Sequence, residues 1–137
     1  MALLLDIVTP EKKIFSGSVE NVYLPGADGE MGILSLHAGL VTALQPGELR
    51  YLVNGKTESL AIGSGFAEVT QTKVIVLTDS ALGEAEIDEA NVEAAMKRAQ
   101  EKLSGVDHNL DAEEVAYLQS VIARSTAALL FKRKNRH

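Results

Sequence analysis

From Leu3 to Glu86 no apolar run outlasts a single strand before a turn signal cuts it, and at Ile87 the apolar spacing changes from strand-like to helical. That change of period limits the chain to a β part followed by a helical part. In the first part Leu3, Leu5 and Ile7 alternate with Leu4, Asp6 and Val8, giving one apolar face and one mixed face. Runs at 13–16 and 19–24 are separated by Gly17, and runs at 33–36 and 40–44 lie between Pro25-Gly26 and Pro46-Gly47. In those pairs Pro presets φ and Gly is expected to supply a positive φ. The clearest hairpin is 49–53 and 56–62 about Asn54-Gly55, a pair that favours the type I′ turn. Gly63-Ser64-Gly65 predicts a bulge or a close backbone approach. Segments 65–70 and 73–79 make a last pair, and Val74-Ile75-Val76-Leu77, with no polar alternate, predicts burial on both faces. So many short strands imply a sandwich or flattened barrel.

Beyond Ile87, Val92, Ala95, Met96, Ala99 and Leu103 fall on one helical stripe. Asp88 is the expected N-cap of that helix and Gly105 its stop. Asp111 and Glu114 have the spacing of a capping box. Val115, Leu118, Ile122 and Leu129 carry a second stripe to about Phe131. The alanines at 94, 95, 99, 116, 123, 127 and 128 let two helices approach closely but limit the apolar area they bury. The expected architecture is an all-β N-terminal sandwich (flattened barrel) over 1–86, followed by a C-terminal antiparallel α-helical hairpin over 87–137.

Catalytic chemistry finds little support. There is no cysteine, so thiolate nucleophiles, thiolate metal sites and disulfides are excluded together. The three histidines, 37, 108 and 137, show no metal-ligand spacing, and Gly-x-Ser-x-Gly is absent. No catalytic residue and no metal ligand is expected. The net charge is −6, carried by residues 1–86 with five bases against eleven acids. That balance argues against nucleic acid as a partner. Residues 87–137 hold eight of each sign, with four of the bases in Lys132-Arg133-Lys134-Asn135-Arg136. Glu84, Glu86, Asp88, Glu89 and Glu93 crowd the start of the first helix, where solvated acids complement the macrodipole. No segment approaches the ~20 apolar residues that span a bilayer. Leu3-Leu4-Leu5 runs straight into Asp6 with no basic residue before it, unlike a signal peptide.

One succession of residues points further. Leu24-Pro25-Gly26, Gly29-Glu30-Met31-Gly32-Ile33-Leu34, His37-Ala38, Leu40 and Pro46-Gly47 follow in an order that resembles the epsilon subunit of F-type ATP synthases. The strand from Ile62 through Gly63-Ser64-Gly65-Phe66-Ala67-Glu68 to Val69 is similar to a strand of the same family, and 88–103 matches its first C-terminal helix. The resemblance implies a non-catalytic subunit of the rotating central stalk that couples gamma and the c-subunit ring, with proton or sodium flow behind the rotation. It also implies that mobile C-terminal helices regulate ATP hydrolysis, reaching the alpha/beta head when extended. Membrane association would come only through the complex, at the cytoplasmic face of the bacterial inner membrane.

On the c-ring side the resemblance implies Glu30, Met31, Leu36, His37 and Leu40, although Leu36 and Gly39 stand where the family usually has Gly and Pro. Toward an acidic loop of the beta subunit it implies Arg124, Lys132, Arg133, Lys134 and Arg136. Some relatives bind ATP through Ile/Leu-Asp-x-x-Arg-Ala. Here the segment is Ile87-Asp88-Glu89-Ala90-Asn91-Val92, so Asn91 replaces the arginine. The expectation is no cofactor, or at most a weak regulatory ATP held by Asp88, Arg98 and Arg124. A rival reading, a small β-sandwich isomerase-type enzyme, needs a concave site with convergent acids or histidines. A generic adapter domain would differ only in its partner.

Overall fold

The computed structural model describes residues 3–33, 39–105 and 109–135. Within them the strands are β1 (Leu3–Val8), β2 (Lys13–Val19), β3 (Asn21–Gly26), β4 (Gly29–Ile33), β5 (Leu40–Leu44), β6 (Gly47–Val53), β7 (Lys56–Ile62), β8 (Gly65–Val69), β9 (Lys73–Thr78) and β10 (Ala81–Leu82). A 3₁₀ turn, Glu84–Glu86, leads to α1 (Glu89–Ser104) and α2 (Ala112–Lys134). The strands make one sheet in the order β10-β7-β6-β3-β5-β8-β9-β1-β2, with β4 on β3. Neighbours are antiparallel except β1 and β9, which run parallel.

The sheet folds over on itself. The Phe15 and Tyr51 rings, on β2 and β6, meet with centroids 4.6 Å apart. Between the layers lies a single aliphatic core that includes Leu3, Leu5, Ile7, Leu24, Leu49, Val74 and Val76. Alternation puts these residues inside because successive side chains of a strand point to opposite faces. On the outer side of β1 the Ser16 hydroxyl donates to Asp6 at 2.7 Å, and Lys73 lies 3.3 Å from the same carboxylate. Together they hold the Asp6 carboxyl below its ordinary pKa.

Several expectations need correction. Gly17 does not interrupt a strand: β2 runs through it, paired with Leu5, and the Phe15 ring lies where a Cβ would project, 3.3 Å away. Pro25-Gly26 finishes β3, the turn falls at Ala27-Asp28, and Gly47 opens β6. Neither Gly26 nor Gly47 takes a positive φ, whereas Gly29 does at 128°. These two glycines serve close approach instead. A Cβ would stand 2.8 Å from the Gly29 carbonyl oxygen at position 26, and 2.8 Å from the Pro25 Cβ at position 47.

The run at 33–36 contributes only Ile33 to β4, and its remainder lies outside the described residues. Val74–Leu77 is not buried on both faces. Val74 and Val76 are inside, Ile75 is half-buried and Leu77 is 53% exposed, because no layer among the described residues covers the outer side of β9. The Asn54-Gly55 turn is as expected, with φ of 52° and 75°.

Both helices begin where their caps predict. Asp88 accepts from the Asn91 amide at 3.2 Å and Asp111 from the Glu114 amide at 2.8 Å. Helix α2 buries two faces. Leu118 and Val121 pack with Ala99 of α1, whereas Ala128 and Phe131 pack on Ala61 and Ile87. The stripe Val115, Leu118, Ile122 and Leu129 therefore describes part of what α2 buries. The helix also continues to Lys134, so Lys132, Arg133 and Lys134 are its last turn and not a tail beyond it.

Candidate functional site

Three places answer to the residues singled out by sequence. The first is the β3–β4 hairpin, formed because the Ala27-Asp28 turn returns the chain so that Pro25 pairs with Glu30 and Leu24 with Met31. Met31 packs against the core, while Glu30 is exposed and accepts from Arg50 Nη2 at 2.8 Å. Leu40 is reached through β5, which is paired with this hairpin only at Gly26 and Leu44. Leu36 and His37 lie outside the described residues.

The second is a cavity of about 260 Å³ where the sandwich meets the helices, lined in part by Ala61, Leu82, Asn91, Val92, Arg124 and Ser125. Arg124 and Asn91 come together here. Asp88 stands next to it but is engaged, with its second oxygen accepting from the Asn91 side-chain amide at 3.0 Å. Arg98 is exposed and does not line the cavity. The volume falls below the ~300–1,000 Å³ of ordinary small-molecule sites, and the cavity has one cation where a triphosphate needs several. Among the described residues no group of three or more His, Cys, Asp or Glu could hold a metal ion.

The third is the last turn of α2. Lys132 Nζ donates to the Glu84 carbonyl at 2.9 Å and pairs with its carboxylate at 3.0 Å. Arg133 reaches Glu93 at 2.8 Å and stands 3.7 Å from Glu89. Lys134 Nζ lies 2.8 Å from Glu48 Oε1, and the Asn135 amide donates to Glu48 Oε2 at 3.4 Å. Arg136 lies outside the described residues. Arg124 does not belong with these cations, since it faces the cavity. Sequence reasoning missed Glu48, Glu84 and Arg50 here. The acids at the sheet–helix junction looked like solvated helix-start residues. A usable signal was the charge imbalance between the acidic first part and the bases of the last turn.

A fourth surface came from no motif. Val8, Leu77, Phe66 and Ala43 form one cross-strand row on the outer side of β1, β9, β8 and β5, and the next row is Asp6, Ile75, Glu68 and Val41. Val41 is 71% exposed and Phe66 59%. Large apolar side chains gathered on a face that no described residue covers make a candidate interaction surface.

Residues 2–84 match the family described as ATP synthase, Delta/Epsilon chain, beta-sandwich domain. The ATP synthase epsilon chain of Desulforamulus reducens is 44% identical over 126 residues, covering 90% of this chain and 95% of that one. The epsilon chain of Carboxydothermus hydrogenoformans is 46% identical over 100 residues, covering 73% and 75%. Among solved structures, a chain of the Euglena gracilis mitochondrial ATP synthase (OSCP/F1/c-ring, rotational state 1) superposes with a TM-score of 0.75. It is 26% identical, with 93% of this chain and 81% of that one covered.

Proposed function

This chain belongs to the family of ATP synthase epsilon chains, non-catalytic stalk subunits, and we propose that it joins gamma to the c-subunit ring in an F-type ATP synthase. The observation that carries this reading is the uncovered apolar face of Val41, Phe66 and Leu77 on a sandwich whose other side is taken by its own helices. Gamma is the occupant we assign to that face. The β3–β4 hairpin with Glu30 and Met31 would turn toward the c-ring. Residues 1–86 would do the coupling, and residues 87–137 would act as a regulatory hairpin. Packed down as here it permits turnover, and extended it reaches the alpha/beta head and opposes ATP hydrolysis. An Ala-rich interface suits such a device, since two states must differ by only a few kcal/mol to be switched.

The subunit would sit at the cytoplasmic face of the bacterial membrane and be held there by the complex. No helix among the described residues is long and apolar enough to cross a bilayer. ATP would bind weakly in the cavity beside Arg124, and Asn91→Arg should tighten it by adding a second cation to the lining. The test of the central assignment is a Phe66→Glu/Leu77→Glu variant purified with the complex. The isolated chain should keep its β-rich circular dichroism, because both side chains point outward, yet be lost from gamma. Retention of the variant in stoichiometric amount would overturn the assignment.

A further inference from the structure

Arg50 occupies an unresolved balance between two acids. It lies on β6 opposite Tyr23, and its guanidinium carbon sits 4.7 Å from the centroid of that ring. Nη2 is bonded to Glu30, but Nε is buried with no hydrogen-bond partner among the described residues. A buried, unbonded N–H of a cation is costly and calls for a reason. A second acid, Glu48, stands two residues earlier on the same face of the strand, with Oε1 3.8 Å from Nε and beyond bonding distance. That same oxygen takes Lys134 Nζ at 2.8 Å. One carboxylate oxygen thus stands between a cation of the sandwich and a cation of α2, and the first of them is bonded to Glu30.

We infer that Arg50 links the β3–β4 rim to the packed end of α2: when Glu30 is taken up by a partner, Arg50 turns to Glu48, displaces Lys134 and loosens the hairpin. The partner need only offer Glu30 a cation or N–H donors. Closing the 3.8 Å gap satisfies Nε, so the movement relieves an existing defect of the packed form. Lys134 then loses the contact that ties it to β6, while Lys132 and Arg133 keep theirs on the 3₁₀ turn and α1. The identity of the rim's partner and the consequence of a free hairpin rest on the function proposed above, whereas the coupling itself is a property of the chain alone.

It can therefore be measured without the complex. The sequence has no cysteine, and Ala128 is 8% exposed between α2 and the sandwich. In an Ala128→Cys chain the rate of labelling by a thiol reagent reports how often the hairpin lifts. Glu30→Gln should speed labelling about two- to fivefold at low salt, the range expected when one surface ion pair is given up. Arg50→Gln should slow labelling or leave it unchanged, and Glu30→Gln should then have no further effect. Lys134→Met should speed labelling and likewise erase the effect of Glu30→Gln, which decides the matter if Arg50→Gln folds poorly. The inference fails if Glu30→Gln leaves the rate unchanged, or if its acceleration persists in either background. Failure of the stalk assignment would appear as lost assembly and would leave these rates as they are.

Discussion

Single residues of the sandwich are constrained in ways that stability measurements can separate. At Gly65 an added Cβ would run into the Leu77 carbonyl oxygen and lie 2.8 Å from the Thr78 Cα, and both obstacles are backbone. To fit a side chain, β8 must part from β9 and strain the bond from the Thr78 hydroxyl to the Ser64 carbonyl, 3.1 Å long. Gly65→Ala should therefore cost about 1–3 kcal/mol or more in urea unfolding. Among the described residues, an added Cβ at Gly39 meets only the Val69 carbonyl oxygen at 3.6 Å, and Gly39→Ala should stay within about 0.5 kcal/mol of wild type. Equal losses at the two positions would refute the close-approach account. Asp6 gives a pH signature. Its carboxyl is held below the ordinary value, first by the Ser16 hydroxyl and also by Lys73. Its contribution is complete above the unfolded pKa of about 3.9 and is lost as pH falls from there through the lower folded value. Asp6→Asn should be less stable than wild type at pH 7, and the urea midpoints of the two should draw together as pH falls below about 4.

At the level of elements, what was legible depended on whether one short-range rule decided the outcome. The Asn54-Gly55 turn and the two helix starts each follow from local chemistry, and all three stand where sequence places them. Gly26 and Gly47 were misread because their reason is the approach of a distant strand, which no local pattern records. Leu77 was misread for the same kind of reason: an apolar run does not say whether a second layer or a partner covers it. The candidate site fared unevenly. Glu30 and Met31 do share one hairpin, but Asp88 is spent on capping and Arg98 is away from the cavity. The pairing of Glu48 with Lys134 spans 86 positions of sequence and had no signal beyond charge balance. The division of the clusters makes its own prediction. Among the described residues the sandwich core draws on β1 to β10, and the helices pack on the sheet through a small separate cluster about Ala61 and Ile87. A chain of residues 1–86 should keep its β-rich spectrum and a cooperative melt. A non-cooperative melt would mean that the helices complete the core.

For the molecule as a whole, the decisive point is that under the proposed regulation one set of cations would serve two arrangements. In the packed form Lys132, Arg133 and Lys134 sit on acids of the 3₁₀ turn, α1 and β6. In the extended form proposed for regulation the same side chains would face an acidic loop of the beta subunit. They cannot do both at once, so replacing the cations weakens both arms and leaves the sign of the result open. The acids Glu48 and Glu84 belong to the packed arm alone. Glu48→Gln/Glu84→Gln should therefore favour the extended form and lower ATP hydrolysis by the complex, with synthesis changed less. Partly exposed pairs are worth ~0.2–1 kcal/mol each, so the two together should shift the balance about two- to thirtyfold. Lys132 keeps its bond to the Glu84 carbonyl, and the helix itself stays intact. Salt supplies the second reading. With a Debye length of about 8 Å at 0.15 M, added salt screens both arms in the wild type and its effects there largely cancel. In the variant the packed arm keeps only the pairs of Arg133 with Glu93 and Glu89, so salt screens the extended arm more than the packed one and should restore part of the hydrolysis. Hydrolysis equal to wild type at both low and high salt would show that the last turn of α2 does not set the balance between the two forms.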